Sequence, residues 1–140
     1  KGQSRRRRST QTPGDYGPAA IADLVALCGR WGEGGGLAVE VRQTDKGGEV
    51  VGWLHEAAEG GVPVVLNAAA WTHTSIAIRD ACAQLRAPLV EVHISNVHAR
   101  EASRSHSYVS PVATAVIAGA GITGYELALR FLASRVLRGM

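Results

Sequence analysis

The feature that most constrains this chain is a switch of hydrophobic period that recurs from residue 18 onward. Ile21, Leu24, Val25 and Cys28 fall at i, i+3, i+4 and i+7, the stripe of one helix. A glycine run, Gly32 to Gly36 with one glutamate in it, breaks that stripe, and Leu37–Val41 reads as a strand. Val50, Trp53, Leu54 and Ala57 repeat the helical spacing, and Val62–Leu66 is a short apolar run of the kind buried on both faces of a parallel sheet. Thr74 is placed to cap a third helix with the stripe Ile78, Cys82 and Leu85. Leu89–His93 and Ala113–Ala118 read as further strands, and Tyr125, Leu129, Leu132 and Val136 mark a final helix. Strands separated by helices of this length imply βαβ units. The expected fold is therefore α/β, a doubly wound parallel sheet with helices on both faces.

In such a sheet ligands bind beyond the carboxyl ends of the strands. That rule singles out residues 67–75, 93–106 and 119–124. The last of these, Gly119-Ala120-Gly121-Ile122-Thr123-Gly124, matches the dinucleotide pattern G-x-G-x-x-G between a strand and a helix. Only 16 residues follow Gly124, so no second strand can present an acid to a ribose. Tight strand-to-helix packing is the preferred reading of these glycines.

Composition narrows the partners. The formal charge of +3 is uneven, because Lys1 and Arg5 to Arg8 supply five of 15 basic residues. The rest of the chain carries 10 basic against 12 acidic residues, a formal −2. A nucleic-acid surface would spread its cations over a folded face, so residues 1–12 read as a solvated, disordered polar tail and 13–140 as one domain. No nucleic-acid or membrane partner is expected: no apolar run nears the roughly 18 residues of a membrane span, and no signal-peptide pattern opens the sequence. Two cysteines, Cys28 and Cys82, sit among apolar residues and read as buried thiols of a reducing, cytoplasmic compartment.

Chemistry gathers near the third expected strand. Glu91 and His93 lie at i, i+2 and share one face. A carboxylate beside an imidazole fixes its tautomer and stabilises the imidazolium, which equips it as a general acid. A metal site using His93, His98, His106 and Glu91 and a purely structural polar cluster are the alternatives; no short zinc-helix spacing favours the first. Asn67 and His73 follow one strand, while Ser95, Asn96, Arg100 and Arg104 follow the next. Two arginines near amides and helix starts suit a small carboxylate; pairing with Glu101 and other surface acids is the plainer alternative.

Three segments carry a family resemblance: LNAAAWTHTSIAIRDA (Leu66–Ala81), VEVHISNVHARE (Val90–Glu101) and SYVSPVATAVIAGAGITGYELALRFL (Ser107–Leu132). Together with Asp15–Gly17 and Val41–Ala57 they resemble type II 3-dehydroquinate dehydratase over about residues 13–137. The resemblance implies a flavodoxin-like fold, a dodecamer built from trimers, and the shikimate-pathway dehydration of 3-dehydroquinate to 3-dehydroshikimate through an enolate. It implies no metal and no organic cofactor. By the same resemblance Tyr16 is the base, and His93, oriented by Glu91, protonates the departing hydroxyl. Asn67 contacts substrate and holds a water near the enolate oxygen. His73, Ile94, Ser95 and Arg104 match substrate-binding positions, and Asp80 matches an aspartate that a neighbouring subunit contributes.

The N-terminus departs from the family pattern. Family members open with an apolar central strand and an Asn-Gly-Pro-Asn motif; here SRRRR stands in that place, so the first strand reads as missing or replaced. The family's arginine five residues before the tyrosine is Gln11 in this chain. A tyrosine at pKa ~10 is only about 0.1% ionised at pH 7, so a cation such as Arg8 would have to substitute. Arg100 is a further supporting candidate. The alternative functional reading is an inactive paralogue or fragment that binds a small molecule or plays a structural role; a nucleotide-binding module on the same fold is a third.

Overall fold

The computed structural model describes residues 18–99 and 106–137. Its elements run in the order α1 (Pro18–Gly34), α2 (Gly47–Gly60), β1 (Val64–Leu66), α3 (Ile76–Ala83), β2 (Leu89–His93), β3 (Ala115–Ala118) and α4 (Thr123–Leu137). Short 3₁₀ turns at Ala69–His73, Val97–Ala99 and Ser110–Val112 punctuate the loops.

The strands form a parallel sheet in the order β1-β2-β3, with Leu66 in register with Glu91 and His93 with Ala118. As the middle strand, β2 is buried at all five positions. Its side chains alternate between two cores. Leu89 joins Val50 and Leu54 of α2, Ile78, Ala81 and Cys82 of α3, and Val109. Val90 and Val92 join Ala128 and Leu132 of α4 on the opposite face. Parallel strands covered on both faces are the doubly wound arrangement that the periodicity predicts. Each of Ile78, Leu89, Val90, Val92 and Val109 is at most 2% exposed, a burial worth about 1.5–3 kcal/mol per side chain.

Four local expectations need correction. Leu37–Val41 keeps the alternating burial of a strand, but no described residue forms a ladder with it, so it stays outside the three-stranded sheet. Alternation alone does not make a strand; hydrogen-bonded neighbours do. The run at 62–66 shortens to Val64–Leu66 and is only half-buried, because Val62 is exposed and Pro63 lacks an N–H to give. β3 starts at Ala115 rather than Ala113, since Ala113 closes the preceding 3₁₀ turn. The cap of α3 is Ser75, whose Oγ accepts the Ile78 N–H at 3.1 Å, while Thr74 ends the turn before it.

The glycine motif also finds its place. Gly119 holds φ +88°, closed to most side chains, and its N–H donates to the His93 carbonyl at 3.2 Å. A Cβ on Gly124 would stand 3.2 Å from Val92 Cγ1, so this glycine lets the start of α4 lie close on β2. Strand-to-helix packing accounts for both. Among the described residues no helix is long and apolar enough to cross a membrane. The N-terminal tail and the expected missing strand lie outside the described residues.

Candidate active site

The period-2 alternation of β2 sends Glu91 and His93 to the same side as Leu89, toward α2 and α3. Both are nearly sealed, Glu91 at 1% exposure and His93 at 4%. His93 Nε2 lies 2.5 Å from Glu91 Oε2. Two further donors come from the segment before β3. Ser107 Oγ donates to Oε2 at 2.7 Å, and Ser110 Oγ donates to Oε1 at 2.5 Å. Burial alone would raise the carboxyl pKa of Glu91. The hydrogen bonds from His93, Ser110 and Ser107 outweigh it and hold the group below its ordinary value. Glu91 is therefore a carboxylate at neutral pH, as orientation of an imidazole requires. The same charge, after burial, helps push the thiol of Cys82 up to about 12.

The carboxyl end of β1 is built differently. Asn67 leaves the same sheet edge, its Nδ2 donating to Tyr125 Oη at 3.0 Å and its Oδ1 accepting the Ala69 N–H at 3.1 Å. Ala69 has φ +51°, the left-handed region that costs a non-glycine residue about 1–2 kcal/mol. Burial raises the phenol pKa of Tyr125, the Asn67 hydrogen bond opposing it, so the hydroxyl stays protonated. His73 Nδ1 lies 2.6 Å from the His106 carbonyl and donates to it. The Tyr108 N–H donates to the Thr72 carbonyl at 2.8 Å. The hydroxyl of Thr72, fully buried, has no hydrogen-bond partner among the described residues.

Ile94 and Ser95 follow β2 directly, and the Ile94 carbonyl accepts the Gly121 N–H at 3.0 Å, tying the β2 and β3 exits together. Asp80 is exposed on α3 and pairs with Arg79 at 3.2 Å. Tyr16, Arg8, Gln11, Arg100 and Arg104 lie outside the described residues. Among the described residues no group of three or more His, Cys, Asp or Glu side chains is arranged to hold a metal. A cavity of about 390 Å³ opens at the other end of the sheet, lined by Arg86, Pro88, Leu89, Thr114 and Arg135 among others. It includes neither Glu91 nor His93.

Sequence reasoning missed Ser107, Ser110 and Tyr125 as members of this cluster. The serines carry a weak signal, S-x-x-S ahead of a proline, which marks a turn without naming what the hydroxyls meet. Tyr125 reads as one more apolar position of a helical stripe. Its ring does pack against the core cluster that holds Val90 and Val92, but its hydroxyl reaches Asn67, just past the end of β1.

A doubly wound sheet with a buried carboxylate–imidazole pair at the exit of its middle strand is a flavodoxin-like α/β arrangement, with titratable groups at the strand ends where ligands of such sheets bind. The family model described as dehydroquinase class II matches residues 3–133. The chain belongs to that family. It is 59% identical over 133 residues to the 3-dehydroquinate dehydratase of Kineococcus radiotolerans, covering 95% of this chain and 91% of the relative. It is 62% identical over 129 residues to the 3-dehydroquinate dehydratase of Salinispora arenicola, covering 92% and 90%. The crystal structure of type II dehydroquinase from Propionibacterium acnes superposes with a TM-score of 0.82 at 52% identity, covering 91% of this chain and 88% of that one.

Proposed function

We propose that this chain eliminates water from 3-dehydroquinate to give 3-dehydroshikimate, as a hydro-lyase of the type II class. The observation that carries the reading is the sealed Glu91–His93 pair at the carboxyl end of β2, the end of a parallel sheet where ligands bind. Tyr16 removes a proton beside the substrate ketone, and the electron pair moves onto the carbonyl oxygen as an enolate. Asn67 lies beside that oxygen, its amide held in one orientation by Tyr125 and Ala69. The enolate collapses to form the double bond, and the hydroxyl leaves as water with a proton from His93. With Nε2 engaged by Glu91, Nδ1 is the ring nitrogen that delivers it. His73, Ile94, Ser95 and Arg104 bind the substrate, with Arg100 and Arg8 as supporting cations and Gln11 at the place of the family's arginine.

Residues 13–140 act as one catalytic unit. Asp80 completes the site of a neighbouring subunit, which makes the trimer the smallest working assembly and a dodecamer of trimers the solution state; its exposure on α3 supports this. Two buried free thiols suit a cytoplasmic setting. Supplying 3-dehydroquinate and following the ultraviolet absorbance of the conjugated enone tests the activity directly. Absence of product from the purified chain would refute it.

A further inference from the structure

We propose that Ser107 and Ser110 are positioning residues of the acid: with His93 they fix both oxygens of the buried Glu91 carboxylate and so set which nitrogen of His93 faces the reaction. The inference rests on His93 being the proton donor. Its physical basis is the direction of the hydroxyl protons. Ser107 Oγ accepts the N–H groups of Val109 at 3.1 Å and Ser110 at 3.0 Å. With its lone pairs taken, its own proton is directed to Glu91 Oε2. Ser110 supplies the matching bond to Oε1. Without them, rotation of the carboxylate would release His93 Nε2 and free the ring to change tautomer.

A turn-capping role alone would require Ser107 and leave the Ser110 hydroxyl without a purpose. The same segment also clips the turn after β1, through Tyr108 N–H to Thr72 and the His106 carbonyl to His73. One stretch of chain thus registers the acid against the β1 exit. Among the described residues, the titratable groups that face Glu91 are His93 on β2 and Cys82 on α3, and the latter stays a neutral thiol.

The test compares Ser110→Ala, Ser107→Ala/Ser110→Ala and Ser110→Thr with Ser134→Ala, a control whose hydroxyl bonds only within α4 to the Phe131 carbonyl. Turnover is measured against pH, and the His93 ring nitrogens are observed by ¹⁵N NMR. Loss of a hydrogen bond to a buried charge predicts kcat down about tenfold for Ser110→Ala and about a hundredfold for the double variant, with KM within about twofold. The Glu91 side-chain carboxyl, followed by ¹³C NMR against pH, should titrate at a higher pH as each hydroxyl is lost, because its charged form loses a hydrogen bond. Ser110→Thr should recover most activity, and Ser134→Ala should match the unaltered chain. The ring should pass from one tautomer, protonated at Nε2, to a mixture. An unchanged Glu91 titration and an unchanged tautomer in Ser110→Ala would overturn the proposal, and that single variant decides if the double one does not fold. If the unaltered chain makes no product, the functional reading fails, while the ring nitrogens of the same variants still decide the positioning.

Discussion

The two strand exits that meet at this site are satisfied to different degrees. After β2, Glu91 receives three donors and both of its oxygens are engaged, at 1% exposure. After β1, the chain holds an alanine at φ +51° and a fully buried threonine hydroxyl with no partner among the described residues. On the proposed mechanism, the difference follows the chemistry asked of each. An acid that must deliver a proton along one direction needs a saturated support, since any slack in Glu91 is slack in His93. The β1 turn has only to present an amide and an imidazole to a substrate, and a turn can carry local strain where the surrounding packing fixes it.

The strongest way to break this comparison is to remove the acid while leaving its support. His93→Gln keeps a donor for Glu91, so the fold should hold while kcat falls about 10²–10⁴-fold. Steady-state assays on 3-dehydroquinate check this, and a loss below tenfold would return His93 to a structural role. The next largest effect concerns the carboxylate. Because the folded pKa of Glu91 lies below its ordinary 4.5, its stabilisation is complete above that value and is lost as pH falls through the lower folded value. Glu91→Gln should flatten this part of the pH dependence and cost about 1–3 kcal/mol at pH 7 by leaving buried hydroxyl donors poorly matched. Urea unfolding between pH 3 and pH 7, the range given by ordinary carboxylate titration, separates the two chains.

The remaining expectations sharpen the contrast from the β1 side. Thr72→Val removes the unpartnered hydroxyl at nearly constant shape and should stabilise by about 1 kcal/mol, opposite in sign to Ser107→Ala. Thermal unfolding of both variants reads the sign directly; equal losses would mean that the Thr72 hydroxyl has a role in the folded chain. The smallest effect is at Ala69. Relief of a left-handed alanine gives about 1–2 kcal/mol, and the entropy lost by glycine takes back about 0.5–1, leaving Ala69→Gly more stable by up to about 1.5 kcal/mol. A destabilised Ala69→Gly would show that the alanine methyl packs usefully there.

How much was legible in the sequence follows from how local each feature is. The alternation of Leu89, Val90, Glu91, Val92 and His93 gives their faces without any structure, because side chains of an extended strand must alternate. The pairing of Glu91 with His93 was therefore visible, as were α2, α4 and the approximate limits of all three strands. The segment at 37–41 shows the opposite case. Its residues alternate as a strand's do, yet whether it enters a sheet depends on a neighbour elsewhere in the chain.

By itself, then, the sequence determined the fold class, the parity of Glu91 and His93, and the strand edge to which the polar residues gather. These are consequences of periods of 2 and 3.6 residues and of where glycine and proline interrupt them. The tertiary structure alone decided which polar groups satisfy one another. Ser107 and Ser110 reach Glu91 across 16 and 19 residues, and Asn67 reaches Tyr125 across 58. A buried donor takes whichever acceptor packing brings within about 3 Å, and no local pattern records that choice. The same holds for Thr72, whose hydroxyl is left without a partner among the described residues when the core closes over it.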